Sequence, residues 1–341
     1  MRGHWVPACA RMTAVQDNVL SVERLRTEFR IGGAWHAAVD DVSFALAPRE
    51  TLALVGESGC GKSVTALSVM GLVPAPQGRI GGGRIVLEGR ELVGLSEPAL
   101  EKLRGARMAM IFQEPMTSLN PVMTIGAQVA EALIVHQGLS RRGAEAKALS
   151  VLDEVKIPSA ARRFHEYPHQ FSGGMRQRVM IAMALACEPA VLLADEPTTA
   201  LDVTIQAQVL GLLADLKERY GMAMLFITHN LGVVAQIADR VAVMYAGQIV
   251  EQACVAAIFA RPAHPYTRAL FAAIPRMDRD AQELAAIPGR VPPLDAMPAG
   301  CRFAPRCPLA RDGCEQPQVL APFGDGHLAR CHVATGALVT G

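Results

Sequence analysis

Short runs of apolar residues alternate along the chain with longer segments in which apolar residues recur at helical spacing. The apolar runs at residues 51–55, 108–112, 191–195 and 223–227 predict buried strands. A helix is predicted after the third run, because one helical face collects Ile205, Val209, Leu212, Leu213 and Leu216. This alternation predicts an α/β fold with a mostly parallel sheet covered by helices.

The two ends of the chain differ from this middle part. Prolines crowd the sequence after Ala257, so residues 258–341 are predicted to form an irregular C-terminal extension. Residues 1–19 are predicted to be a flexible lead without the apolar core of a secretory signal. No apolar run approaches the roughly 20 residues that cross a bilayer as a helix. We therefore expect the chain to stay in the cytoplasm.

Composition narrows the possible partners. The 341 residues, of which 51% are hydrophobic, suffice for a large core domain with an extension. The 33 Lys and Arg nearly balance the 32 Asp and Glu, and the sequence contains no basic block. This balance does not indicate a nucleic-acid partner, and we expect none.

The segment GESGCGKS at residues 56–63 fits the phosphate-binding pattern G-x-x-x-x-G-K-[ST] and lies between a predicted strand and a predicted helix. Its glycines allow backbone N–H groups to turn towards phosphate oxygens, and the helix adds its positive N-terminal end. Lys62 would bind the β- and γ-phosphates, and the Ser63 hydroxyl would bind Mg²⁺. ATP is the predicted ligand of Gly56, Glu57, Ser58, Gly59, Cys60, Gly61, Lys62, Ser63 and Val64.

Polar residues follow the predicted strands. Asp195 would hold Mg²⁺, and Glu196, whose side chain should point the other way, would position or activate the attacking water. Open α/β sheets bind ligands at the carboxyl ends of parallel strands. We predict that one such edge collects Ser63, Gln113, Asp195, Glu196 and His229.

A second anion site is predicted at Ser172, Gly173 and Gly174, which come directly before a helical segment. One triphosphate does not need two such sites in one chain. Two chains placed head to tail could use both sites, each chain covering the nucleotide of the other.

These motifs together, in this order, resemble an ATP-binding cassette (ABC) ATPase over roughly residues 20–251. The resemblance implies a P-loop core of residues 20–257 with a mostly parallel core sheet, an antiparallel β subdomain and an inserted helical subdomain at about 115–188. It implies that the catalytic residues are Gln113, Glu196 and His229, and that Ser63, Gln113 and Asp195 hold Mg²⁺. It also implies a dimer with two ATP molecules between the subunits, to which Ser172, Gly173, Gly174 and Asp202 contribute. Phe29 is the predicted adenine-stacking residue, with Trp35 as the alternative.

A narrower resemblance extends over nearly the whole chain. The sequences FQEPMTSLNP at residues 112–121, HPYT at 264–267 and GCRFAPRCP at 300–308 look like those of ATP-binding subunits of oligopeptide/dipeptide importers. The resemblance implies a peripheral protein on the cytoplasmic face of the inner membrane. Its partners would be two permease subunits, an extracytoplasmic peptide-binding protein and a second ATPase subunit, identical or related. Nickel, glutathione or antimicrobial peptides are alternative cargoes, and a soluble ATPase acting on DNA or ribosomes is the alternative of another class.

The extension contains a cysteine cluster whose spacing is C-x5-C-x6-C-x16-C, formed by Cys301, Cys307, Cys314 and Cys331. Disulfides are not expected in a reducing compartment, and zinc sites usually contain a closer pair of cysteines. The importers that this chain resembles include members with a [4Fe-4S] cluster in such an extension, and four thiolates can hold one. A cluster, zinc and unliganded thiols therefore stay open as alternatives.

Overall fold

The computed structural model describes residues 18–113, 118–199, 201–273 and 287–336. The predicted N-terminal lead at residues 1–19 lies almost entirely outside the described residues, as do residues 114–117 of the importer-like segment. The strands are β1 (Leu20–Ile31), β2 (Ala34–Leu46), β3 (Thr51–Val55), β4 (Gly78–Leu87), β5 (Arg90–Glu91), β6 (Met108–Ile111), β7 (Val191–Asp195), β8 (Ala223–Thr228), β9 (Arg240–Tyr245), β10 (Gln248–Cys254), β11 (Ala321–Gly324) and β12 (His327–Ala329). The helices are α1 (Lys62–Val69), α2 (Glu97–Glu101), α3 (Ile125–Gln137), α4 (Arg141–Glu154), α5 (Ala160–Arg163), α6 (Gly173–Leu185), α7 (Val203–Tyr220), α8 (Leu231–Ile237), α9 (Val255–Ala260), α10 (Pro265–Ala272) and α11 (His332–Thr335).

The chain divides into two compact units. Of the described residues, the first contains 18–45, 51–93, 228–273 and 287–336, and the second contains 46–50, 94–113, 118–199 and 201–227. The C-terminal extension thus belongs to the same unit as the phosphate loop. The domain limits expected from the sequence stay a prediction.

The first unit contains an antiparallel sheet in the order β2-β1-β4-β5. A second set of strands runs in the order β11-β12-β10-β9-β3, in which β3 and β9 are parallel and pair Leu52 with Arg240 and Val55 with Val243. β9 and β10 form a hairpin, which turns at Gly247 with φ +85°. The pairing of β12 with β10 was not anticipated from the proline-rich sequence.

The second unit contains three parallel strands, in the order β8-β7-β6, and most of the longer helices. Its four longest helices, α3, α4, α6 and α7, begin at side chains that accept hydrogen bonds from the first turn, a preference typical of Ser, Thr and Asp. Thr124 caps α3, Ser140 caps α4, and Gly138 in the left-handed region ends α3. Residues 138–140 therefore separate two helices.

The core of the first unit lies beside β3, β9 and β10. Tyr245, Tyr266 and Phe303 are almost completely buried and their rings contact one another. Two of these three aromatic residues come from the C-terminal extension, so the extension shares a core with the strand that precedes the phosphate loop.

Candidate functional site

The phosphate loop connects β3 to α1 as the sequence predicts. Gly61 precedes the helix with φ +106°, and Gly56 has φ +155°, so both adopt backbone conformations that disfavour side chains. A Cβ atom at Gly56 would lie 2.1 Å from the carbonyl oxygen of Met244. The loop is therefore packed so closely against β9 that glycine is required at its first position.

Lys62 is buried at the start of α1, with 6% of its surface exposed. Its Nζ donates hydrogen bonds to the carbonyl oxygens of Gly56 at 2.9 Å and Glu57 at 3.0 Å. The amine is thus held over the loop by two neutral carbonyl acceptors. A phosphate anion can take the place of these acceptors and form an ion pair with the amine. Burial raises the pKa of the adjacent Cys60 thiol despite the charge of Lys62, so this cysteine stays protonated near neutral pH.

The second unit brings three of the predicted groups together. Asp195 ends β7 with 4% of its surface exposed, and Glu196 follows with φ +47°. Gln113 Nε2 donates to Glu196 Oε2 at 3.2 Å. Thr199, which the sequence analysis did not single out, donates its hydroxyl to the same oxygen at 2.9 Å. The carboxylate of Glu196 is therefore oriented by two side chains.

Ser63 and His229 belong to the first unit. Ser63 lies in the first turn of α1, and His229 is exposed directly after β8. Asn230 follows His229 and caps α8 by accepting hydrogen bonds from Gly232 and Val233. The convergence of all five polar groups on one edge stays a prediction.

The predicted magnesium ligands fit the ion by their chemistry. Ser63 offers a hydroxyl oxygen, Gln113 an amide oxygen and Asp195 a carboxylate, and Mg²⁺ prefers oxygen ligands with at most a few carboxylates. The burial of Asp195 keeps that carboxylate in surroundings where a cation would stabilise it strongly.

The second anion site is also built as a helix N-terminus. Ser172 caps α6 and its Oγ accepts a hydrogen bond from Met175 N at 3.4 Å. The two glycines form the first helical positions and do not precede the helix. Asp202 caps α7 in the same way, through Ile205 N at 2.9 Å.

A cavity of about 640 Å³ joins these two helix starts. Its lining includes Ser172, Gly173, Gly174 and Asp202, and also the basic residues Lys156 and Arg178. Lys156 could not be recognised from the sequence, because it lies 16 positions before Ser172 and belongs to no motif. The cavity combines two helix N-termini with two cations and one carboxylate, that of Asp202, and its helix start at Ser172 and its cations suit an anion.

The adenine-stacking residue stays a prediction. Phe29 is half-buried on β1 opposite Gly78, where a Cβ atom would come within 2.9 Å of the ring. The alternative, Trp35, carries the guanidinium of Arg79 at 4.1 Å from its ring centroid. Gly78 thus lies close to the ring of Phe29, and Arg79 covers one face of the Trp35 ring.

The iron–sulfur prediction finds no support. Cys314 and Cys331 are buried, Cys301 and Cys307 are half-buried, and Cys301 N donates to Cys314 O at 2.8 Å. Among the described residues, which include all four cysteines, no group of three or more His, Cys, Asp or Glu side chains is arranged to hold a metal ion. Burial raises the pKa of the Cys301 thiol to about 11. The described residues therefore give no support to a cluster or zinc.

Within the part of the chain that the structure describes, no helix is both long and apolar enough to span a membrane.

Comparison with known proteins agrees with this geometry. Residues 39–199 match the ABC transporter family, and residues 250–314 match the oligopeptide/dipeptide transporter C-terminal region. A protein of Brucella abortus (strain 2308), named as a peptide import ATP-binding protein, is 51% identical over 92% of this chain and 94% of its own length. A peptide ABC transporter ATP-binding protein of Sinorhizobium fredii is 54% identical, over 92% of this chain and 95% of its own.

Solved structures are similar as well. The ATP-binding cassette MJ0796, in a dimeric post-hydrolysis state bound to ADP and Pi, aligns with a TM-score of 0.62 and 26% identity over 69% of this chain and 98% of its own. The cbiO1 protein of Clostridium perfringens, part of the ABC transporter complex cbiONQ, aligns with a TM-score of 0.62 and 25% identity over 72% of this chain and 92% of its own. The expected ABC-ATPase fold is confirmed. The chain belongs to the ATP-binding subunits of ABC transporters, in the group that carries the oligopeptide/dipeptide transporter C-terminal region.

Proposed function

We propose that this chain is the ATP-hydrolysing subunit of an importer of di- or oligopeptides. One observation carries this proposal: a phosphate loop, an acidic strand end and a serine-capped glycine helix occur in one chain with an oligopeptide-transporter C-terminal region. Relatives about half identical over nearly the whole length are named for peptide import. Their names favour peptides over nickel or glutathione as the cargo.

ATP would bind to the phosphate loop of one subunit and be covered by a second subunit. Backbone N–H groups of residues 56–63 would hold the phosphates, and Lys62 would leave its carbonyl acceptors to bind the β- and γ-phosphates. The cavity at Ser172, Gly173, Gly174 and Asp202 would receive the γ-phosphate side of the partner's nucleotide. Binding would therefore close the dimer, and hydrolysis would reopen it.

Hydrolysis requires a water aligned with the γ-phosphorus. The oxygen of this water would attack the γ-phosphorus while Glu196 accepts a proton from the water. The bond between the γ-phosphorus and the oxygen that leaves with ADP would break. Gln113 and Thr199 orient the Glu196 carboxylate, and His229 would bind the γ-phosphate side of the nucleotide. Ser63, Gln113 and Asp195 would hold Mg²⁺, which neutralises phosphate charge when bound.

The partners follow from the importer assignment. Two permease subunits, an extracytoplasmic peptide-binding protein and a second ATPase subunit, identical or related, would complete the complex. The chain would lie on the cytoplasmic face of the inner membrane as a peripheral subunit. A short helix of a permease would dock beside Gln113, so that γ-phosphate contacts bias the direction in which the pore opens.

Uptake of a panel of labelled di- to hexapeptides in a deletion strain tests this function. We expect uptake of at least one peptide class to fall and to return with the wild-type gene. A gene encoding Glu196→Gln should not restore it, whereas Glu145→Gln, a change at an exposed carboxylate on α4, should. Unchanged uptake of all peptides, with uptake of nickel or glutathione lost instead, would reject a peptide cargo.

A further inference from the structure

The second residue of the phosphate loop is held by the C-terminal extension. Tyr266 Oη accepts a hydrogen bond from the backbone N–H of Glu57 at 2.9 Å. Arg306 donates from Nη1 to Glu57 Oε2 at 2.8 Å and from Nη2 to Glu57 Oε1 at 3.1 Å. All three residues lie in the same compact unit, so these contacts belong to a single packed body.

Arg306 is itself fixed by its surroundings. Its Nε donates to Pro288 O at 2.8 Å, and its two Nη groups also donate to Ile287 O at 3.2 Å and Tyr245 Oη at 3.3 Å. Only 5% of its side chain is exposed. A planar guanidinium with all its directions occupied presents its fork to Glu57 in one orientation.

Tyr266 is equally constrained. It is completely buried, and its ring centroid lies 4.7 Å from that of Tyr245 and 5.4 Å from that of Phe303. The helix that carries it, α10, is capped by His264, whose Nδ1 accepts from Tyr266 N at 3.0 Å. The hydroxyl that receives the Glu57 N–H is therefore placed by a rigid aromatic cluster.

Glu57 thus has its amide, its carboxylate and its carbonyl all bound, the last by Lys62. The rest of the loop is rich in glycine, and Gly59, with φ +76°, has no neighbour near the position of a Cβ atom. A loop of this composition loses much conformational freedom when it closes around a ligand. Fixing one residue beforehand reduces that loss and raises affinity.

We propose that Tyr266 and Arg306 are positioning residues that hold the phosphate loop in the shape that receives the triphosphate. The proposal rests on the proposed function only in that this loop binds ATP, and it is independent of the cargo. It gives the C-terminal extension a part in nucleotide binding although no residue of the extension needs to touch the nucleotide.

A purely structural role is the competing explanation, and Arg330 provides the matched control. Arg330 also joins the extension to the same unit, through Nε to Ile249 O at 3.0 Å and Nη2 to Asp41 Oδ2 at 3.0 Å. It has no recorded contact with the loop among the described residues. Arg330→Gln should therefore lower the melting temperature and leave the affinity for ATP unchanged.

The test measures binding of a fluorescent ATP analogue with Mg²⁺ to the full chain, together with KM and kcat. Arg306→Gln should raise Kd and KM for ATP about ten-fold, and Tyr266→Phe about three-fold, with kcat at saturation within about two-fold of wild type. Glu57→Gln should weaken binding as much as Arg306→Gln does. The double variant Glu57→Gln/Arg306→Gln should bind ATP no more weakly than either single variant, because each single change removes the same ion pair.

Wild-type Kd in both Arg306→Gln and Tyr266→Phe, with melting temperatures lowered as in Arg330→Gln, would overturn the proposal. Arg306→Lys adds a second check, since it keeps the charge but not the fork and should recover only part of the affinity. Unchanged peptide uptake in the deletion strain, with these affinity shifts still found, would reject the proposed cargo and leave the positioning role standing.

Discussion

Gln113 and Glu196 are joined by a hydrogen bond of 3.2 Å from the amide Nε2 to the carboxylate Oε2. One residue follows β6 and the other follows β7, and these strands are parallel neighbours. The contact therefore connects the segment that would sense the permease with the carboxylate that would act on water. A displacement of the segment at Gln113 would change the orientation of that carboxylate.

Replacing Glu196 by Gln should abolish turnover and preserve ATP binding. The amide keeps the size and the hydrogen bonds of the side chain but cannot accept a proton from water. We expect kcat to fall by about 10²–10⁴-fold, the usual contribution of a general base. Phosphate release and nucleotide titration measure the two effects, and turnover near that of Glu145→Gln would contradict the assigned role.

Replacing Lys62 by Ala should weaken ATP binding itself. The change removes a buried amine that bonds to two loop carbonyls and is placed to bind phosphates. Charge-assisted hydrogen bonds contribute about 1.5–3 kcal/mol each, which corresponds to roughly 10–100-fold in Kd. Equilibrium titration checks this, with Lys147→Ala, an ion-paired lysine on α4, as the control expected to bind normally.

The two glycines after Ser172 should differ in their effect on folding. A Cβ atom at Gly174 would lie 2.7 Å from Ile205 Cγ2, whereas a Cβ atom at Gly173 would meet nothing within 4 Å. Gly174→Ala should therefore destabilise the isolated chain. Gly173→Ala should leave it as stable or stabilise it by about 0.5–1 kcal/mol, because alanine favours a helix.

Gly173→Ala also tests whether ATP-dependent dimerisation uses the N-terminus of α6. If a partner's nucleotide packs against α6, Gly173→Ala should abolish the dimer of the Glu196→Gln protein in ATP although its own fold is intact. Size-exclusion chromatography with scattering detection measures the dimer, and normal dimerisation of this variant would argue against a nucleotide at that helix start.

Stability should decrease in mild acid through His264. Burial lowers the pKa of this completely enclosed imidazole to about 4 from an ordinary value near 6.5, although Glu251 opposes the shift and Arg268 and Arg330 support it. Between these two pH values the unfolded chain binds a proton that the folded chain does not. The free energy of unfolding should therefore fall as the pH drops from about 6.5 to 4, by at most about 1.4 kcal/mol per pH unit.

His264→Asn isolates this contribution. Asparagine can accept the bond from Tyr266 N and cap α10, but it does not titrate. Denaturant melts at several pH values should show a shallower loss of stability in the variant than in the wild type. Parallel curves would mean that His264 is not the residue responsible.

Local patterns predicted much of this molecule. The strands β3, β6, β7 and β8, the phosphate loop and the helix start at Ser172 each depend on a few neighbouring residues, so a single sequence contains the signal. The contacts of Glu57 could not be read in this way. Tyr266 lies 209 residues and Arg306 lies 249 residues from Glu57 in the chain, and no spacing rule relates them.

The cysteine cluster is a prediction that the structure does not support. Four cysteines in a proline-rich extension suggested a metal centre, but spacing in sequence does not determine where the thiols point. In the structure, burial raises the pKa of the thiols of Cys301, Cys307 and Cys331. The strands β11 and β12 were missed because each has only a few residues, too short for alternation to be recognised.

The pairing of β12 with β10 has a practical consequence for anyone who shortens this gene. Glu251 faces Ala329 across that pair, and Arg330 N donates to Val250 O at 2.8 Å. A truncated product that stops after the nucleotide-binding region would present the bare backbone of β10 to water. Naked strand edges recruit other polypeptides, so such a fragment should precipitate on expression where the intact protein does not.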